Sequence, residues 1–271
     1  MTADLNSQAL LDVRGLRVVY GGVIAVNNVD LSVAEGHVQG LIGPNGAGKT
    51  SMIDALTGYH RPSAGSVLFG GTDITRTRAH RRARMGLVRT FQSVELFDDL
   101  TVDENLLVAS ERAGVGQALR EIVMPARASD GSAVDWATAV CDLGTVVDRY
   151  PHEISHGQRK LVGVARALAQ RPRLVLLDEP AAGLDTDESI ELGQRLRSLP
   201  DEHGVSVLLV DHDMGLVLSV CDRLMVLDFG SRIAEGTPAE IRQDPRVLAA
   251  YLGSQGAPEV VGSQGLAGGA A

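Results

Sequence analysis

Gly43-Pro44-Asn45-Gly46-Ala47-Gly48-Lys49-Thr50 follows the apolar run Val38–Ile42 and precedes residues 51–56, which are compatible with a helix. The order is strand, glycine-rich loop, helix start. Small residues let successive backbone N–H groups turn inward around a polyphosphate, and the helix behind them adds the positive end of its dipole. In the pattern Gly-x-x-x-x-Gly-Lys-Ser/Thr, Lys49 reaches the β- and γ-phosphates and the Thr50 hydroxyl ligates Mg²⁺. A glycine-rich turn matching by chance needs neither a strand before it nor a helix after it, and this stretch has both. It predicts a nucleoside triphosphate site whose binding residues are Gly43, Pro44, Asn45, Gly46, Ala47, Gly48, Lys49, Thr50 and Ser51.

The 271 residues, 44% of them hydrophobic, can bury a substantial core in one or two domains. A formal net charge of -9 and a pI near 5.2 argue against an extended nucleic-acid surface and against attraction to anionic lipid. The opening Met1-Thr2-Ala3-Asp4 lacks a basic region followed by an apolar core, and no uninterrupted apolar run could span a bilayer. A soluble, cytoplasmic chain is expected. Cys141 and Cys221 have no metal-type spacing and are expected to be reduced core residues.

Outward from the loop, residues 11–31 read as β-structure around a Gly21-Gly22 turn, and residues 66–69 before Gly70-Gly71 read as a short hairpin strand. An antiparallel β-layer is therefore expected beside the nucleotide-binding core. Residues 76–89 are rich in arginine and are expected to form a solvated helix face that yields to a strand at 87–91. Thr101 and Glu104 have the form of a capping box. The helix it opens begins a helical region running to about Tyr150, interrupted at 114–132 by a poorly periodic stretch expected to be mobile loop. A further helix is expected over 158–169. The apolar runs 174–177 and 205–210 end at Asp178-Glu179-Pro180 and Asp211-His212, with a helix over 186–199 between them. Continuous apolar strands suit a parallel sheet covered on both faces, with function at the carboxyl ends. Residues 223–227 and 232–235 pair about Gly230, Thr237-Pro238-Ala239-Glu240 forms a second capping box, and the Gly/Ser/Ala-rich residues 253–271 are expected to be disordered.

A phosphate loop needs a metal carboxylate and a group to position water. Asp178 and Glu179 directly follow an apolar strand, where both can face the phosphates. Asp178 suits Mg²⁺, and Glu179 suits the orienting or deprotonation of an attacking water.

The order of these features resembles the ATP-binding-cassette (ABC) ATPases over residues 11–253. By that resemblance Tyr20 is the aromatic that stacks on adenine, Gln92 in Thr90-Phe91-Gln92 is a metal-sensing glutamine, and His212 is a switch histidine. Ile154-Ser155-His156-Gly157-Gln158 is the signature loop, whose Ser155, Gly157 and Gln158 meet the γ-phosphate held by an opposite subunit. Gly183-Leu184-Asp185 is a dimer-contact loop. The catalytic set implied is Glu179, His212 and Gln92, the metal set Thr50, Gln92 and Asp178, and the cofactors ATP and Mg²⁺. His156 replaces the first glycine of the common loop Leu-Ser-Gly-Gly-Gln, where glycine permits close backbone approach to phosphate; the resemblance to a family branch that tolerates a larger residue there leaves open whether His156 weakens ATP-driven closure.

Stretches such as Met85-Gly86-Leu87-Val88-Arg89-Thr90-Phe91-Gln92, Ala181-Ala182-Gly183-Leu184-Asp185 and the ending Tyr251-Leu252-Gly253 are similar to the ATPase subunits of branched-chain amino-acid importers. The resemblance implies an α/β fold: a P-loop NTPase core with an antiparallel β-layer and an inserted helical subdomain. The cassette would span residues 11–252, with the helical subdomain about 93–165, a 1–10 extension before it and a 253–271 tail after it. The partners implied are permease subunits, a second ATPase subunit and an extracytoplasmic solute-binding protein, with no nucleic acid, placing the chain on the inner face of the membrane. An ATPase for export, such as the lipopolysaccharide system, and a ribosome- or nucleic-acid-associated cassette protein are the alternatives. One cassette and no sustained heptads argue against the last.

Overall fold

The computed structural model describes residues 9–90, 96–111 and 131–253. Gln92, most of residues 114–132, most of the 1–10 extension and the tail after Gly253 lie outside the described residues.

The chain opens with β1 (Ala9–Tyr20) and β2 (Val23–Ala34), crosses β3 (Val38–Ile42) into α1 (Lys49–Thr57), and returns through β4 (Ala64–Phe69) and β5 (Thr72–Asp73). Next come α2 (Ala79–Arg84), β6 (Leu87–Arg89), α3 (Val102–Ser110), α4 (Gly131–Val140), α5 (His156–Leu168) and β7 (Leu174–Asp178). The last part holds α6 (Thr186–His203), β8 (Ser206–Val210), α7 (Met214–Val220), β9 (Arg223–Asp228), β10 (Ser231–Gly236), α8 (Pro238–Gln243) and α9 (Pro245–Gly253).

Two sheets result. An antiparallel one runs β2-β1-β4-β5, and a larger one runs β10-β9-β3-β8-β7-β6. In the larger sheet β6, β7, β8, β3 and β9 are parallel, and β10 joins its edge antiparallel. Alternation within the buried strands shows why both faces must be covered. Leu174, Leu176, Leu208 and Val210 face the core shared with α1 and the antiparallel sheet. Val175, Leu177, Val207 and Leu209 face a second core built largely by the helices. The expected β-layer and doubly covered parallel sheet are both present.

The capping boxes hold. The Thr101 hydroxyl accepts from the Glu104 N–H at 3.3 Å, and the Glu104 carboxylate accepts from the Thr101 N–H at 2.8 Å. Thr237 and Glu240 repeat the arrangement with Pro238 at the first helical position. Both cysteines are free and buried, and burial pushes both thiols up to about 12.

The arginine face expected at 76–89 is solvated at Arg76, Arg78, Arg81 and Arg84, which are exposed, whereas Arg82 turns inward. Arg82 is 1% exposed, and its guanidinium donates to the Ala55, Leu56, Thr75 and Thr77 carbonyls. Two of those carbonyls belong to the last turn of α1, which has no further helical partner of its own to offer them. The Arg89 side chain, on β6, is buried as well.

Candidate nucleotide-binding site

Strand β3 is buried along its whole length and ends at Ile42, so the chain must turn at the sheet edge before α1 can pack beneath it. Gly43 and Gly48 carry that turn at φ 151° and 101°. A Cβ on Gly43 would lie 2.2 Å from the Leu227 carbonyl oxygen, and one on Gly48 would lie 2.3 Å from the Ala25 carbonyl oxygen. Only glycine fits either place. The far side of the loop is held by the β9–β10 turn, where the Gly230 N–H donates to the Ala47 carbonyl at 3.0 Å. Lys49 opens α1 in a buried position, and its Nζ donates to the Gly43 and Pro44 carbonyls at 2.7 and 3.0 Å. Burial lowers its pKa from the ordinary lysine value, and the charges of Glu179 and Asp178 oppose that shift. Thr50 is exposed at the loop's end and Ser51 half-buried.

Strands β7 and β8 bring their carboxyl ends to the same edge, paired through Asp178 and Val210. The Asp178 carboxylate is buried and accepts from Arg89 Nη2 at 2.8 Å, while Arg89 Nη1 holds Asp54 of α1. Arg89 was not singled out in the sequence. Its signal was its place at the carboxyl end of an apolar strand, opposite the strand that ends in Asp178. Glu179 sits at φ 49°, in the left-handed region, with its N–H donating to the Val210 carbonyl at 2.7 Å. That turn leaves its carboxylate partly exposed, 3.9 Å from His212 Nδ1. The buried Asp211 anchors the next turn by accepting from the His212, Asp213 and Ala181 amides. Lys160 of α5 is buried with its charge felt by Asp211 and Glu179, and burial is the larger influence, lowering its pKa.

Tyr20 lies at the tip of the antiparallel layer, half-exposed, with its ring centroid 4.3 Å from that of His60. His60 was also missed, since nothing local distinguishes it from a surface residue. Ser155 caps α5. Its hydroxyl accepts from the Gln158 N–H at 3.1 Å, and the Gln158 side chain accepts from the Ser155 N–H at 3.0 Å. Gly157 is buried, and a Cβ there would stand 2.5 Å from Glu188 Oε1. His156 is the first helical residue and has no positive φ, so its backbone does not call for glycine. Its ring faces Gly183, where an added Cβ would stand 3.1 Å from Nε2.

Residues 43–50, Asp178, Glu179 and His212 thus gather at one sheet edge, and Tyr20 and the residues 155–158 stand on other elements. The residues at the edge fit a nucleotide with a hard cation. Thr50 and Asp178 are oxygen donors, and no cluster of three or more His, Cys, Asp or Glu able to cage a metal occurs among the described residues. Mg²⁺ is usually held by one or two protein oxygens plus phosphate and water.

The family model for ABC transporters matches residues 26–182, and one described as a branched-chain amino acid ATP-binding cassette transporter matches 231–257. BraF of Pseudomonas aeruginosa, a high-affinity branched-chain amino acid transport ATP-binding protein, is 42% identical over 252 residues, covering 91% of this chain and 99% of its own. LptB of Acidithiobacillus ferridurans, a lipopolysaccharide export system ATP-binding protein, is 35% identical over 246 residues, covering 91% and 98%. The crystal structure of a nucleotide-free ATP-binding cassette from an ABC transporter matches with a TM-score of 0.80 at 29% identity, covering 90% of this chain and 99% of that one. By these likenesses over nearly its whole described length, the chain belongs to the ATP-binding subunits of the ABC transporter family.

Proposed function

We propose that this chain hydrolyses ATP to power an importer of branched-chain amino acids or similar small solutes. The observation that carries the reading is the meeting of residues 43–50, Asp178, Glu179 and His212 at one sheet edge. The branched-chain assignment is supported by the higher identity to BraF than to LptB and by the match over residues 231–257.

On this reading residues 11–252 form one cassette, with the helical subdomain about 93–165. The amides of residues 43–51 and Lys49 hold the phosphates, and Lys49 exchanges the Gly43 and Pro44 carbonyls for phosphate oxygens. Tyr20 offers its ring to adenine beside His60. Thr50, Asp178 and Gln92 would hold Mg²⁺, which when bound neutralises charge on the β- and γ-phosphate oxygens. Glu179 orients the attacking water and takes its proton, with His212 beside it. A bond forms from the water oxygen to the γ-phosphorus, the bond from that phosphorus to the β–γ bridging oxygen breaks, and ADP and phosphate leave. Ser155, Gly157 and Gln158 close over ATP held by a second ATPase subunit, where the α5 N-terminus favours the γ-phosphate. No helix among the described residues is long and apolar enough to cross a membrane. On the family reading the chain works through permease subunits, on the inner face of the membrane, with a solute-binding protein on the other side.

The test is uptake by the reconstituted transporter. Proteoliposomes holding this chain with its permease subunits, supplied with ATP inside and binding protein outside, should accumulate leucine. Accumulation of no branched-chain amino acid, with ATP hydrolysis intact, would contradict the importer assignment.

A further inference from the structure

Strand alternation explains why two ionic side chains meet beside α1. Leu87 of β6 and Leu174 and Leu176 of β7 point into the core shared with α1, and Arg89 pairs in register with Leu176. Arg89 and Asp178 continue that alternation, so both side chains leave the carboxyl ends of their strands on the α1 face. There the Asp178 carboxylate, 6% exposed, accepts on Oδ2 from Arg89 Nη2 at 2.8 Å. Among the described residues, Arg89 is the one side chain that donates to it. The backbone adds a tie between the same strands, since the Thr90 N–H donates to the Leu176 carbonyl at 2.9 Å. Arg89 Nη1 reaches the other way, to Oδ1 of Asp54 on α1. Asp54 lies one helical turn after Thr50, on the same face of that helix. One guanidinium therefore joins β7 to α1 through both of its terminal nitrogens. The two oxygens offered to a hard cation, Thr50 Oγ1 and Asp178 Oδ1, stand on the two elements so joined.

We infer that Arg89 is a positioning residue for the metal: it holds Asp178 by Oδ2 so that Oδ1 is left for Mg²⁺, and through Asp54 it sets the spacing between Asp178 and Thr50. A buried carboxylate without a partner is costly to keep ionised, and the guanidinium offsets that cost before any metal arrives. Its positive charge by itself opposes a nearby dication. Asp54 cancels that charge, so the trio of Asp54, Arg89 and Asp178 still presents one net negative charge to the metal. Lysine is no substitute, because its ammonium is a single point charge without the planar fork that spans two carboxylates. The inference deepens the proposed function and rests on its reading of Asp178 and Thr50 as metal donors.

The experiment is titration of Mn²⁺, a paramagnetic stand-in for Mg²⁺, into the full chain saturated with ADP, read by electron paramagnetic resonance. ADP affinity in EDTA is measured in parallel by calorimetry. Wild type is compared with Arg89→Lys, Asp54→Asn, their double variant and Asp178→Asn. Groups that orient a metal-binding carboxylate are worth about 10–100-fold in metal affinity. Arg89→Lys should therefore need about tenfold more Mn²⁺ to half-fill the site, with ADP affinity in EDTA within about twofold of wild type. Asp54→Asn should shift the Mn²⁺ requirement the same way by a smaller factor, and the double variant should match Arg89→Lys, because the two residues act as one clamp. General loosening of the fold would instead weaken ADP in EDTA along with Mn²⁺, and that joint loss would overturn the positioning role. Wild-type or tighter Mn²⁺ affinity in Arg89→Lys, beside a clear loss in Asp178→Asn, would overturn the role of Arg89 while the metal site stands. Unchanged Mn²⁺ affinity in Asp178→Asn would remove the metal assignment and the inference with it.

Discussion

Arg82 and Arg89 belong to one arginine-rich run, yet each is buried against different partners, and the difference shows what a sequence conceals. Arg82 satisfies carbonyls of α1 and of the segment between β5 and α2, and Arg89 bridges Asp54 to Asp178. The run reads as a solvated face, which Arg76, Arg78, Arg81 and Arg84 keep, while the burial of Arg82 is set by partners on distant elements and leaves no local trace. Lys49 was legible for the opposite reason: its partners are the loop residues beside it. Burial lowers its pKa in the free chain, so as pH rises Lys49 loses its proton before an exposed lysine does. A neighbouring phosphate favours the charged form. ATP binding should therefore take up a proton above the free-chain pKa of Lys49 and none well below it, and affinity should fall as pH climbs through that range. Calorimetry in two buffers of different ionisation enthalpy, at about pH 8 and about pH 10, measures the uptake. Uptake should be greater at the higher pH than at the lower and vanish in Lys49→Arg, whose guanidinium stays charged.

At the scale of elements, strands and caps were the legible part. Buried parallel strands are continuous apolar runs, and the Thr101 and Thr237 boxes declare helix starts through residues three apart. Helices α7 and α9 were not foreseen, since α7 is short and contains Gly215, and α9 follows α8 almost directly. The signature segment is the instructive case. Glycine is common at this position in the resembling loops, yet His156 occupies an ordinary helical position within the chain, and the steric demand lies one residue on. In Gly157→Ala the new methyl meets the Glu188 carboxylate, which in turn caps the Asp185 amide at 3.2 Å. That variant should lose about 1 kcal/mol or more in urea unfolding, from the disturbed cap. His156→Gly should cost only about 0.5–1 kcal/mol, from added chain entropy, and should not strengthen ATP-dependent association. Stronger association in His156→Gly would show that the histidine does restrain closure.

At the scale of the whole molecule, the proposed reading makes the site at the sheet edge one half of a working unit. Residues 43–50, Asp178, Glu179 and His212 belong to the core, whereas Ser155 caps a helix whose N-terminus is exposed and faces outward. Shifting a pair of chains from roughly 1:99 to 99:1 closed takes about 5.5 kcal/mol of differential binding, or about 2.7 kcal/mol for each of two ATP molecules. A few charge-assisted hydrogen bonds from Ser155 and the loop amides suffice. The sequence made this legible only through the order of its motifs, because a surface that meets a second chain carries no pattern within one chain. The most direct test is Glu179→Gln with ATP and Mg²⁺, followed by light scattering and phosphate release. The variant should bind ATP, form a stable dimer and release almost no phosphate. Phosphate release at the wild-type rate from that variant would contradict the assignment of Glu179 and the mechanism built on it.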